Sequence, residues 1–250
     1  MRTLLLTALL GGALATTAQA GPPGYHAPRR LFTSKHQAYE RLPLRLSFGL
    51  NTAYYNGDIT GRFQDNTYQV GFDLGMVYTY SPRVTLGIEA TYFQLKAKDS
   101  NADRGLRFVS SNYMLVPFLR YNLLEDKSML LGTAYEPQRF QVYLQAGIGA
   151  VIYNPKAYQT SNGIFPLITE SKAAYPATAA VLPVGIGASY RVSSGVYLSL
   201  EGQYYFASTD LLDDVSQRGD SKTLDQFAIA RFKMEFTIPH KHGKPLVRFD

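Results

Sequence analysis

From Leu44 onward, apolar and polar residues alternate with a period of two. In the clearest stretch, Tyr68, Val70, Phe72, Leu74, Met76, Tyr78 and Tyr80 alternate with Gln69, Gly71, Asp73, Gly75, Val77 and Thr79. Successive strand side chains point to opposite faces, so this stretch predicts a strand with one apolar face and one small or polar face. The pattern recurs along the chain and predicts eight strands, at 44–55, 67–80, 83–96, 107–121, 139–153, 180–192, 195–208 and 225–238. Strands in globular proteins average about 5–6 residues, whereas one tilted across a bilayer needs about 9–11. All eight predicted strands exceed the second length.

The connections alternate in length. Ser81-Pro82 and Ser193-Ser194 are tight turns, while 56–66, 97–106, 154–179 and 209–224 are longer and polar. Short turns on one side and long loops on the other mark an all-β, eight-stranded antiparallel transmembrane barrel of outer-membrane type, here over 44–238. The link 122–138 breaks this rule, being long where a short turn belongs. The same alternation fits a soluble lipocalin-like barrel with the faces reversed, or a β-sandwich. Strand length and tyrosines at strand ends (Tyr54, Tyr68, Tyr80, Tyr92, Tyr121 and Tyr190) favour the membrane, where such residues form an interfacial girdle. Pro117 and Pro183 fit either reading poorly, since proline removes a ladder donor.

Charge sharpens the picture. The outer face carries almost none. The opposite face carries Arg45, Asp73, Glu89, Arg120, Arg191, Glu201, Arg231, Lys233 and Glu235. An eight-stranded barrel is only wide enough for side chains to fill it, so these groups are expected to pair in the lumen, with inward glycines making room. Arg231 and Glu235 are expected to pair with Glu201 or Arg45.

The chain has 25 Lys+Arg against 19 Asp+Glu, a net +6. Arg2, an apolar run over residues 4–15 and Ala18-Gln19-Ala20 have the layout of a secretory signal peptide at 1–20. The stretch 44–238 holds 17 basic and 17 acidic residues. Excess charge therefore sits in a basic N-terminal segment, 21–43, and a basic tail, 239–250. An even strand count puts both on the short-turn, periplasmic side. Export removes the nucleic-acid partner that a basic chain would otherwise suggest, and leaves outer-membrane lipid.

Catalytic motifs are not found. The four histidines, His26, His36, His240 and His242, lie in the end segments, away from the strand ends where a barrel hydrolase or acyltransferase needs one. His240 and His242 read as part of a solvated tail. Asp210, Asp213, Asp214 and Asp220 match no calcium loop and read as solvated. There is no cysteine. No catalytic residue, cofactor or metal is expected.

Three stretches carry a resemblance. They are Asn51-Thr-Ala-Tyr-Tyr-Asn-Gly-Asp-Ile59; Tyr143 through Ala157 with Phe165-Pro-Leu-Ile-Thr-Glu170; and Leu182-Pro-Val-Gly-Ile-Gly187 through Tyr204 to Ser216. The most specific element is Asp210, Leu211, Leu212, Asp213, Asp214, Val215 and Ser216. Together they resemble the Bacteroidota outer-membrane barrels related to PorG, a component of the type IX secretion system. The chain departs from that family in lacking Trp and in its last strand and tail. The resemblance implies a small non-enzymatic barrel that assembles or anchors the type IX machinery, meeting periplasmic subunits through the basic ends. A general OmpA-like envelope-stability barrel and a soluble lipocalin-like carrier are the alternatives.

Overall fold

The alternating segments form the wall of a closed barrel. The computed structural model describes residues 31–56, 63–99, 105–131, 138–159, 174–209, 211–212 and 225–238. The signal peptide, most of the basic N-terminal segment and the tail lie outside them. Met1–Leu31 and Phe32–Asp250 are separate compact units, and only Leu31 of the first is described. The strands are β1 (Arg45–Asn56), β2 (Val70–Thr79), β3 (Val84–Lys98), β4 (Leu106–Asn122), β5 in two runs (Phe140–Gly147 and Gly149–Gln159), β6 (Ala177–Ser193), β7 (Val196–Ala207) and β8 (Gln226–Thr237). Each pairs antiparallel with its sequence neighbours. β8 closes on β1, from Gln226↔Asn56 to Thr237↔Arg45, so the ring of eight has no free edge. Closure satisfies the backbone inside a bilayer, where an open edge is not tolerated.

The break in β5 has a covalent cause. Register is unbroken across it: Leu115↔Ala150 and Phe118↔Gly147 lie on one ladder with β4, and Ala146↔Val184 and Gly149↔Val181 on one ladder with β6. The same steps set Ile148 across from Pro117 and Gly147 across from Pro183. Proline has no N–H to give, and only Ile148 N–H to Pro117 O, at 3.3 Å, survives at that step. The two prolines thus interrupt pairing locally without shifting it.

Burial assigns the faces. Phe48, Leu50, Phe72, Leu74, Leu144, Ile186, Leu200 and Phe232 are exposed, while Arg45, Asp73, Glu89, Glu201, Arg231 and Lys233 are buried. An apolar exterior around a charged interior excludes the soluble carrier, which needs the reverse.

On β3 and β5 the polarity of the two faces inverts partway up the wall. On β3 the outward residues from Val84 to Tyr92 are apolar, and then come Gln94, Lys96 and Lys98. The inward residues Thr85, Glu89 and Thr91 are polar, and then come Phe93, Leu95 and Ala97. β5 behaves alike: outward Ile152 gives way to Asn154 and Lys156, inward Gln141, Tyr143 and Gln145 to Val151, Tyr153 and Ala157. The lower storey is built for lipid outside, the upper for water outside and a dry core within. This explains the long strands. The nine residues of β3 from Val84 to Tyr92 match the length needed to cross a bilayer, and the rest project beyond it. It also corrects two expectations: the inner face is not polar along its whole length, and β5 and β6 extend into the stretch read as loop.

The long link between β4 and β5 has a partner. Tyr39 and Leu130 form a β-bridge, Glu40 N–H donates to Met129 O at 2.9 Å, and Leu131 N–H donates to Ala38 O at 2.8 Å. Met129 and Tyr39 are buried there. Asp126 caps the short 3-10 turn Lys127–Met129 by accepting from Ser128 N–H. Arg83 pairs with Glu125 at 3.6 Å. The link is long because it builds a docking strip for the segment that leads into β1. Arg41, at the end of that segment, lies over the Tyr80 ring and donates to the Tyr78 hydroxyl, a contact that raises its pKa.

Two charge insertions test the storey boundary. Leu200→Arg, in the middle of the apolar run of β7, is expected to cost about 2–4 kcal/mol of bilayer folding stability. Asn154→Arg, beyond the apolar run of β5, is expected to leave stability within about 0.5 kcal/mol, as for an ordinary surface change. Equal losses in reversible folding into lipid vesicles would refute the boundary.

Candidate functional site

The inward charges of the lower storey form one continuous chain of alternating sign. It runs Arg45, Glu235, Arg120, Glu201, Lys233, Glu89, Arg231, Asp73. The successive N···O distances are 3.1, 2.9, 2.7, 2.7, 2.5, 3.3 and 3.1 Å. Four cations and four carboxylates sum to zero. β8 supplies three successive inward residues, Arg231, Lys233 and Glu235, so it acts as a spine. β1, β2, β3, β4 and β7 each add one charge.

Uncharged groups complete the chain. Arg120 Nε donates to Gln145 Oε1 at 2.9 Å, and its guanidinium lies between the rings of Phe118 and Tyr143. The Tyr143 hydroxyl donates to Glu201 at 2.6 Å. Asn51 and Thr91 both donate to Asp73, at 3.0 and 2.8 Å. Arg231 Nη2 donates to the Tyr205 hydroxyl at 2.6 Å, and Tyr205 donates onward to Gln203. Arg45 Nη2 donates to Thr79 at 3.0 Å. Glycine supplies space at two points. A Cβ on Gly49 would lie 2.6 Å from the Lys233 stem, and one on Gly187 would lie 2.5 Å from the Tyr143 ring.

Two expectations need correction. Arg191 is on the inner face by parity but at the turn end, where it donates to the carbonyls of Ser193 and Ser194 and takes no part in the chain. Arg231 meets Asp73 and Glu89 rather than Glu201 or Arg45. Glu235 does reach Arg45, with 3.1 Å between Nη1 and Oε2.

Above the charge chain the lumen is mainly apolar, with Ser110 and Asn112 of β4 also buried there. Tyr205 marks the seam: its hydroxyl faces Arg231 and its ring stacks on Phe227 at 4.7 Å, with Phe93 on the far side at 5.1 Å. Leu95, Phe108 and Val151 are fully buried around them. Of the loop that carries the most specific resemblance, Leu211 and Leu212 are described; Asp210, Asp213, Asp214, Val215 and Ser216 are not. Leu212 is fully buried in this core, and its N–H donates to Asp225 Oδ2 at 2.9 Å. The other Asp225 oxygen accepts from the Tyr55 hydroxyl. Tyr175 donates to Leu211 O at 3.4 Å. Leu212 is thus held in the top of the barrel by its burial and by one buried carboxylate. Composition offered no signal for Asp225 or Tyr55, because both sit at strand ends beside a polar loop.

Among the described residues these side chains occupy much of the lumen. A polar cavity of about 30 Å³ remains at the turn end, between Arg45, Arg120, Gln141 and Tyr197. Among the described residues no group of three or more His, Asp and Glu could hold a metal.

Removing one member of a buried, paired network strands its partners, at a cost of about 3–5 kcal/mol. Arg231→Leu is expected to lose that much in detergent. Arg231→Leu with Asp73→Leu is expected to lose less than the two single losses added, by about 0.5–3 kcal/mol. Chemical denaturation of the folded band reads both. Strict additivity would show that Arg231 and Asp73 do not act together.

Residues 5–229 match the family described as outer membrane protein beta-barrel domain. No curated protein matches the sequence significantly. Several solved structures are similar. Neisserial surface protein A is 11% identical, with 80% of this chain and 99% of that one covered and a TM-score of 0.42. Ail, the attachment invasion locus protein of Yersinia pestis, is 12% identical over 79% and 99%, with a TM-score of 0.42. The outer membrane protein OprG of Pseudomonas aeruginosa is 10% identical over 80% and 99%, with a TM-score of 0.43. The matched residues run from the apolar N-terminal stretch into β8, and the ring they build has lipid-facing apolar walls: the chain belongs to the outer membrane protein beta-barrel domain family.

Proposed function

We propose that this protein is a closed, non-enzymatic barrel that stabilises the cell envelope in the manner of OmpA-like proteins. Its long loops face outward, and both termini lie in the periplasm. The observation that carries this reading is the filled lumen. A neutral chain of eight charges occupies the lower storey, and a core of Phe93, Phe108, Phe227 and Leu212 occupies the upper. Described side chains thus occupy the section that a pore would need. The placement of all four histidines in the end segments supports a non-enzymatic role. The asymmetry of turn and loop lengths supports the orientation.

A second reading is assembly or anchoring of the type IX secretion machinery. It is favoured by one observation: Leu212, within the loop element that carries the most specific resemblance, is buried in the barrel core.

Two experiments separate these readings. In planar bilayers the purified protein is expected to give no stepwise conductance, and a steady open channel would overturn the closed-barrel reading. A deletion strain is expected to be sensitive to detergent while exporting type IX cargo normally. Loss of cargo export would favour the second reading, and an unaltered envelope would remove the first. Protease added to whole cells is expected to cut the long loops and spare a tag on the C-terminal tail.

A further inference from the structure

The outward face of the described strands carries four charges, Lys96, Lys98, Arg107 and Lys156, and no carboxylate. All four lie on β3, β4 and β5, which are neighbours. Register arranges them in two rows. Lys96 pairs with Val109, and Val109 with Lys156; above them Lys98 pairs with Arg107, and Arg107 with Tyr158. Lys96 and Lys156 therefore flank Val109 at two strand spacings, roughly 10 Å. Toward the loop end the outward positions of the other five strands are uncharged, among them Asn56, Thr178, Phe206 and Gln226. On the described strands, charge needed only for hydration would have no reason to gather on three neighbours, nor to use one sign.

Height points the same way. Tyr92 and Tyr113, with ring centroids 5.1 Å apart, mark the top of the apolar wall on β3 and β4. Tyrosines at that position sit at headgroup level. Lys96 is four residues beyond Tyr92, roughly 13 Å along a strand that is tilted, and lysine stems reach back along apolar surface. Between the girdle and the cations, Gln94 donates to the Tyr92 hydroxyl at 2.9 Å and to Ser111 at 3.2 Å, which makes a polar floor.

We propose that Lys96, Lys98, Arg107 and Lys156 form a docking site for the phosphate-bearing headgroup of a lipid in the leaflet at the loop end. Phosphate is the group that a lipid surface offers at this depth and that paired cations recognise. The site rests on the outward orientation of the loops, which the protease experiment reads independently.

The test uses the full-length protein in detergent and three probes: bisphosphorylated lipid A, its phosphate-free form, and inorganic phosphate. Native mass spectrometry reads the retained lipid. The protein is expected to retain the bisphosphorylated form over the phosphate-free form by about tenfold or more, because several cations at one spot favour the anionic headgroup. Inorganic phosphate at equal concentration is expected to displace none of it. The triple variant Lys96→Gln, Lys98→Gln, Lys156→Gln is expected to lose the preference while keeping heat-modifiable mobility. If the triple variant fails to fold, Lys156→Gln alone is expected to lower retention several-fold. Equal retention of the two lipids, full preference in a folded variant, or displacement by free phosphate would each overturn the proposal.

Discussion

The structure depends on keeping charge out of lipid and balancing it inside. Eight buried ionisable groups in a medium of low dielectric are tolerated only if each meets its opposite. A linear alternation of sign gives every interior member two opposite neighbours. It also makes the groups interdependent. Arg120 sits between Glu235 and Glu201, and Lys233 between Glu201 and Glu89, so six strands are tied together through one chain. The barrel cross-section is then set from within, by side-chain reach, as much as by the ladders of the wall.

The inversion of the faces is the counterpart of that constraint. One set of strands passes through two solvents, and each solvent dictates the opposite pattern. In the membrane the outside must be apolar, so polar groups turn inward and pair. Beyond the membrane the outside must be polar, so aromatic and aliphatic groups turn inward and pack. Tyr205 serves both halves, with a hydroxyl in the charge chain and a ring in the apolar stack. The upper storey is in effect a small soluble barrel seated on a membrane barrel.

Much of this was legible in the sequence, for definite reasons. Strand number, strand faces and the segregation of charge follow from a period of two, which survives any detail of packing. Parity says which face a residue is on but not its height, and so it groups Arg191 with Glu201 although Arg191 lies at the turn end. Parity is also silent on reach across the lumen: Arg231 of β8 bypasses adjacent β1 to meet Asp73 of β2 and Glu89 of β3. Tyr143 and Tyr205 were on the inner face by parity but carry no formal charge to draw notice. Alternation marks β5 only as far as its apolar outer residues run, and these stop at Ile152 while the ladder runs on to Gln159. The strip at Tyr39 and Leu130 is too short to have a period at all.

That strip has a mechanical consequence. Residues 38–40 are hydrogen-bonded to residues 129–131, on the link between β4 and β5, before the chain enters the wall at β1. Tension on the N-terminal segment is therefore delivered to the barrel at two points separated around its circumference. The β1–β8 seam, which a pull on β1 alone would unzip, bears the load only after the Glu40–Met129 and Ala38–Leu131 bonds have given way. A tether at this end of the chain would be secured by the strip first and by the wall second.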